Sequence, residues 1–280
     1  MASSRFWGEL STRELAQRRR SGELARTVAV LPLAATEQHG PHLPLNVDTV
    51  LADGIIEASL PHLPPELPVL FLPTLAVGLS PEHARFAGTL SLRPETVLRL
   101  WTEVAESVLD AGVRKLVLFN THGGNVGAMD LVGRDLRARR GALVYGVSWF
   151  NLPLVDPDGH DLSLAFGADE LRFGVHAGAI ETAMMLALAP SLVDSAQIQT
   201  WVSSAQARAA QFDILGNGRS AKLAWQTQDY HPSGAVGDAT LADATTGRAL
   251  VDAAARSLVR LLVQVSKLPP ETLRDTTAYD

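Results

Sequence analysis

The sequence predicts an α/β protein, a three-layer α/β/α arrangement around a mainly parallel central sheet. Two observations carry this. Short apolar runs at 27–34, 69–72, 115–119 and 142–147 alternate with stretches of helical character, the pattern of strands joined by crossover helices. Clusters of His, Glu, Asp and Asn stand directly behind two of those runs, at the carboxyl ends of parallel strands, where sites form in open sheets.

Taken in order, Ser11-Thr12-Arg13-Glu14 has capping-box spacing and opens a short helix. A strand spans 27–34. A helix over 49–60 begins just after Asp48 and is stopped by Pro61-His62-Leu63-Pro64-Pro65. Residues 69–72 form a second strand. A helix covers 94–111, with Pro94 at its start and Gly112 at its end. The buried strand 115–119 runs into Asn120-Thr121-His122-Gly123-Gly124-Asn125; a helix follows over 128–140 and a strand over 142–147. The stretch 152–173 is irregular and is read as a lid or a subunit contact. A helix over 179–189 is stopped by Pro190, and 241–267 contains a long C-terminal helix. No Pro/Gly/Ser linker, internal repeat or low-complexity segment divides the chain, so 1–280 is read as one domain.

Composition narrows the chemistry. Hydrophobic residues make up 46% and charged residues 19% of 280, and the net charge is -6, which argues against a nucleic-acid or anionic-membrane partner. Arg18-Arg19-Arg20 is too short to reverse that and reads as the end of a solvated helix. There are no cysteines. Thiolate metal sites and cysteine nucleophiles are excluded, and any metal must be held by His, Asp and Glu. No signal-peptide core follows Arg5 and no apolar run reaches transmembrane length; the expectation is a soluble cytoplasmic protein.

Three segments carry ligand-type residues. Glu37-Gln38-His39-Gly40-Pro41-His42-Leu43-Pro44-Leu45-Asn46-Val47-Asp48 follows the first strand. In extended backbone Glu37 and His39 point to one side, and Asp48 returns to the same point from the loop. His122 follows the third strand, beside glycines that let the backbone pass close to a ligand. His176-Ala177-Gly178 leads into a helix on which Glu181, Met184, Met185 and Leu188 share one face. A carboxylate among apolar neighbours needs a partner. Singly, each has a plainer reading: a hydrogen-bonded loop histidine for His122, an arginine pair for Glu181, a polar turn for Glu37-x-His39, a core position for His42. Together they point to a divalent transition metal such as zinc or manganese. Glu82-His83 with Arg85, and Trp149 with Phe150, are candidates for a pocket wall, against a surface loop and aromatic packing; no substrate-binding residue is assigned. No GxSxG elbow, P-loop or GxGxxG fingerprint is present.

These segments, with Ser233-Gly234-Ala235-Val236-Gly237-Asp238, Ala244 and Gly247, resemble the creatininase (creatinine amidohydrolase) family over roughly residues 5 to 265. The resemblance implies an α/β/α fold, a homo-oligomer, commonly a hexamer, and two divalent ions per subunit, Zn and/or Mn. It implies Glu37 and His122 on one ion, His39 and Glu181 on the other, Asp48 bridging, and His176 as the catalytic histidine. The implied reaction is hydrolysis of a C–N amide bond of a small cyclic or linear amide by a hydroxide held between the ions. His176 would stabilise the tetrahedral intermediate or pass a proton to the leaving nitrogen. A metal-dependent peptidase of a peptide-maturation branch and a noncatalytic ligand-binding member are the alternatives. Creatininases carry glutamates where this chain has Val175 and Gly124, and many relatives an acid where it has Ala179; these departures argue against creatinine itself.

Overall fold

The computed structural model describes residues 4–279; residues 1–3 and 280 of the single-domain assignment lie outside the described residues. The elements are α1 (Thr12–Arg20), α2 (Glu23–Arg26), β1 (Val28–Leu33), α3 (Val47–Ser59), β2 (Val69–Phe71), α4 (Pro94–Ala111), β3 (Lys115–Asn120), α5 (Val126–Arg140), β4 (Leu143–Ser148), α6 (Gly167–Phe173), α7 (Ala179–Leu188), β5 (Thr200–Trp201), α8 (Ser204–Gln211), α9 (Thr227–Tyr230), β6 (Gly237–Asp238) and α10 (Ala244–Lys267). Local chemistry sets several ends. Ser11 and Glu14 make the capping box of α1, Pro94 opens α4, and Gly112 at φ 122° ends it. Asp243 caps α10 by accepting from the amides of Thr245 and Thr246 at 2.8 and 3.0 Å.

Strands β1 to β4 form one parallel sheet in the order β2-β1-β3-β4. Alternation along the strands divides the core in two. Val28, Val30, Val69, Phe71, Val117 and Phe119 face the layer of α3, α7 and α10. Ala29, Leu31, Leu33, Leu70, Leu116 and Leu118 pack against α4 and α5. Burial on both faces explains why these strands read as continuous apolar runs. The order places a topological switch between β1 and β3, with Leu33 opposite Asn120 at the carboxyl ends. No helix among the described residues is long and apolar enough to cross a membrane.

Three expectations are corrected. Helix α3 starts at Val47, so Asp48 sits in its first turn rather than in the preceding loop; a carboxylate is favoured there by the helix dipole, and Thr121 Oγ1 donates to Asp48 O at 2.9 Å. The stretch 152–173 is not irregular throughout: Asp161 caps a 3-10 turn over Leu162–Phe166, and α6 follows. The antiparallel pair β5–β6, two residues each, was not expected, because two residues carry no readable alternation.

Helices α7 and α10 cross closely at Gly247. A Cβ there would lie 1.8 Å from Ala183 O. Helix propensity alone favours Ala over Gly by up to ~1 kcal/mol, so Gly247→Ala separates the two effects. We expect it to lower stability by about 1–3 kcal/mol through overpacking, read as a lower urea midpoint; a raised midpoint would show that the crossing has slack.

Candidate metal centre

The site lies at the switch between β1 and β3. The loop after β1 is pinned on several sides: Glu37 N–H donates to Leu45 O at 2.9 Å, Leu90 N–H to Thr36 O at 2.8 Å, and Thr36 Oγ1 to Ala76 O at 2.8 Å. Gly40 has φ 68°, and a Cβ there would lie 2.6 Å from Ala235 Cβ, so only glycine serves at that turn. After β3, Asn120 Nδ2 donates to His122 O and Asn120 Oδ1 accepts from His122 N–H, at 2.7 and 3.1 Å. Asn125 Nδ2 reaches Ala34 O at 3.1 Å. The buried Asn125 amide thus stitches the two motif loops together. The third segment is held by the backbone exchange of His176 with Val236. Ala177, at φ 53°, is strained for a residue with a Cβ, and its N–H donates to Glu181 Oε2 at 2.6 Å.

Glu37, His39, Asp48, His122, His176 and Glu181 meet here. Three triplets have donor atoms within 4.8 Å of one another: Glu37/Asp48/His122, His39/Asp48/Glu181 and Glu37/His39/His176. Asp48 belongs to the first two. Ring orientations follow from outer hydrogen bonds. His39 Nδ1 donates to Glu37 O at 3.0 Å, leaving Nε2 to face inward. His122 Nε2 donates to Leu79 O at 3.0 Å, leaving Nδ1 3.0 Å from Glu37 Oε1 and 3.9 Å from Asp48 Oδ2. His176 Nε2 donates to Gln38 O at 2.7 Å, with Nδ1 4.0 Å from Glu37 Oε1. Both Glu37 carboxylate oxygens, Asp48 Oδ2 and His39 Nε2 are buried without an aligned hydrogen bond; the Glu37–His122 approach is close but poorly directed. Buried carboxylates and imidazole nitrogens left this way are costly unless something else takes their lone pairs. An oxygen and nitrogen donor set converging on one volume suits a divalent transition ion.

The electrostatics follow from burial and charge. Burial raises the pKa of Asp48, and Glu37 beside it raises it further. Burial also raises Glu181. Burial works against charge on His122, but Glu37, Glu82 and Asp48 outweigh it and the pKa is raised well above the ordinary value. For Glu37, burial opposes ionisation, yet His122, His83 and His176 prevail and the carboxyl is lowered. Burial lowers His39 to about 3, His42 to about 4 and His83 to about 2, helped in each case by His176.

Glu82 and His83, offered by the sequence as a pocket wall or a surface loop, are buried in the cluster. His83 Nε2 lies 3.3 Å from Glu37 Oε1, and its Nδ1 accepts from Gln38 Nε2 at 2.7 Å. Arg85 is exposed and takes no part in the wall. His42 is buried, bonded through Nε2 to Thr182 Oγ1 at 2.9 Å, in keeping with a core position. Glu170 and Trp225 were not read from the sequence. The Glu170 carboxylate accepts from Ala179 and Asp238 N–H, both at 2.7 Å, tying α6 to the start of α7 and to β6; a lone Glu in a short helix carries no such signal. Together with Trp149, Phe150, Leu152, Leu154, Val175 and Ile180, these residues wall a cavity of about 700 Å³ whose floor includes Glu37, Asp48, His122 and Glu181 and whose lining holds no Lys or Arg.

Known proteins resemble this chain in sequence and in fold. The family profile described as creatinine amidohydrolase (creatininase) matches residues 8–262. The chain is 35% identical over 245 residues to a protein of Mycobacterium tuberculosis named mycofactocin precursor peptide peptidase, covering 84% of this chain and 86% of that one. It is 30% identical to the creatinine amidohydrolase of Pseudomonas putida, covering 69% and 75%. A creatininase crystal structure superposes with a TM-score of 0.73 at 25% identity over 95% of this chain and 100% of that one. Further creatininase structures of the same coverage are a manganese form (TM-score 0.73, 24% identity) and a zinc–zinc form of a mutant (0.72, 23%).

The buried histidines give a pH test on metal-free protein. His42 takes up its proton near 6.5 when unfolded and near 4 when folded. Between those values the unfolded chain binds more protons, so this group's contribution to stability falls as pH falls. Asp48, Glu181 and His122 have raised pKa values and act in the opposite sense, so the clean readout is a difference. Relative to His42→Gln, wild type should lose on the order of 2 kcal/mol between neutral pH and about pH 4.5. Parallel urea-midpoint curves for the two proteins would contradict a neutral buried His42.

Proposed function

The chain belongs to the creatininase family, and on that premise we propose that it is a two-metal amide hydrolase whose substrate is the apolar end of a peptide or an amide of similar bulk. One observation carries the reading: Glu37, Asp48, His122, His176 and Glu181 of the buried donor cluster line a largely apolar cavity of about 700 Å³, within the ~300–1,000 Å³ of pockets that enclose drug-sized ligands. A creatinine-sized ring would leave most of it unfilled. The peptidase name of the 35%-identical relative favours the same choice. A second reading, a small cyclic or linear amide, draws support from the creatinine amidohydrolase of Pseudomonas putida.

In this proposal Glu37, Asp48 and His122 hold one ion, His39, Asp48 and Glu181 the other, and Asp48 serves both. When bound, zinc or manganese ions supply Lewis-acid polarisation of the amide carbonyl and activate water at neutral pH. The protein's part is orientation and proton traffic. His39 presents Nε2 and His122 presents Nδ1 because carbonyl oxygens hold their other nitrogens. Ala177 N–H fixes the Glu181 carboxylate. His176, held at Nε2 by Gln38 O, offers Nδ1 to take a proton from the attacking water and return it to the leaving nitrogen. Trp149, Phe150 and Trp225 exclude water and hold the apolar part of the substrate. The reading includes a cytoplasmic homo-oligomer, the assembly to be measured by light scattering.

Asp48→Ala and His176→Ala separate ligation from catalysis. We expect Asp48→Ala to lose both ions, and His176→Ala to keep them while turnover falls roughly 10²–10⁴-fold. Metal content and rate measured on the same preparations decide this: loss of metal in His176→Ala would make His176 a ligand, as the third triplet permits, and unchanged turnover would remove its proton role.

The substrate class is tested with metal-reconstituted protein and a panel of creatinine, small formamides and short peptides ending in aromatic or aliphatic residues. Peptides with apolar ends should be turned over with a kcat/KM at least ~10²-fold above that for creatinine. Efficient creatinine hydrolysis with no peptide cleavage would favour the second reading instead.

A further inference from the structure

Glu82 is absent from the three donor triplets, yet it is buried beside one of their members. Its Oε1 lies 3.4 Å from His122 Nε2, on the side of the ring away from Glu37. The same nitrogen meets Leu79 O at 3.0 Å and Ser80 Oγ at 3.3 Å. The segment 79–83 is itself held rigidly: Leu79 N–H donates to Asn125 Oδ1 at 3.0 Å, Thr227 Oγ1 to Glu82 O at 2.9 Å, and Gln226 Nε2 to Pro81 O at 3.0 Å. This segment therefore carries the outer shell of His122 as one unit.

Gly124 is what lets that unit approach. A Cβ at position 124 would lie 2.2 Å from Glu82 Oε1, 2.4 Å from His122 Nε2 and 2.5 Å from Leu79 O. Gly124 is not among the left-handed glycines, so its backbone would accept another residue; its neighbours would not. The space that a side chain at 124 would enter is occupied by the Glu82 carboxylate.

We propose that Glu82, delivered from the 79–83 segment into the space kept open by Gly124, is a positioning residue that fixes the His122 ring through its outer nitrogen. The inference rests on the metal-centre reading above, with His122 a ligand through Nδ1. A carboxylate at the outer nitrogen fixes the ring and raises its basicity, and losing such a partner typically weakens metal binding by ~10–100-fold. Gly124 and Glu82 then form one device, in which a side chain at 124 displaces both the carboxylate and the imidazole.

The test is metal affinity by chelator competition with zinc, alongside melting temperature of the metal-free proteins. Glu82→Gln keeps the shape and removes the charge. It should melt close to wild type while binding zinc ~10–100-fold more weakly. Gly124→Ala should also bind more weakly, and the Glu82→Gln/Gly124→Ala double variant no more weakly than the worse single one, because both act through His122. Zinc affinity of Glu82→Gln within about twofold of wild type would overturn the proposal and leave the metal centre standing; so would fully additive losses in the double variant. Failure of wild type itself to bind zinc or manganese would overturn the metal-centre reading, and the positioning role with it.

Discussion

Glu37 is fully buried, and neither of its carboxylate oxygens has an aligned hydrogen bond. Burying a carboxylate in that state costs several kcal/mol unless positive charge is supplied. The surroundings are arranged around that demand. His122, His83 and His176 lie within 3.0–4.0 Å of Glu37 Oε1, while Asp48 and Glu181 bring further negative charge to the same volume. No Lys or Arg lines the cavity to balance it. Burial pushes Asp48 and Glu181 toward their neutral forms, and divalent ions held by these donors would offset the charge that remains; the donors themselves are held in place by other means.

Those means are backbone carbonyls, amides and close packing. Each inward-facing imidazole meets a carbonyl oxygen at its far nitrogen: Glu37 O for His39, Gln38 O for His176, and Leu79 O, with the Glu82 carboxylate beside it, for His122. Asn120 closes the second motif on itself at His122, and Asn125 binds that motif to Ala34 in the loop after β1. Glu170 brings α6, α7 and β6 together, and a Cβ at Gly174, Gly178 or Gly237 would strike its carboxylate. The sheet contributes register: Leu33 and Asn120 are paired at the carboxyl ends of β1 and β3, so the residues that follow each strand start from a common level. Strain is concentrated at the same place, in the left-handed Ala177 between His176 and the helix that carries Glu181, as is common where a functional geometry is over-determined.

Much of this was legible along the chain. Strands β1, β2 and β3 could be read because they are buried on both faces, which makes each run apolar, and the helices because Pro94, Gly112 and the Ser11–Glu14 box mark ends with local chemistry. The donor residues stood out because Glu, His and Asp directly behind an apolar strand are a local signal. Glu82 and His83 gave a weaker one; their burial depends on segment 79–83 packing onto Asn125 and Thr227, which lie 46 and 145 residues away in the chain. Glu170 and Trp225 gave none. The helical half of 152–173 was missed because a seven-residue helix anchored by one carboxylate has too few turns to show a period.

The sequence by itself determined the layer architecture and the family and offered the side chains of the candidate site, since periodicity, capping and motif spacing are properties of neighbours along the chain. Tertiary structure alone decided the placement of Asp48 in the first turn of α3, the triplets that share it, the nitrogen each imidazole presents, and the largely apolar cavity, without Lys or Arg, that they line. These depend on contacts between segments distant in sequence. Such contacts obey the geometry of close packing and hydrogen-bond direction, for which a linear pattern holds no coordinate.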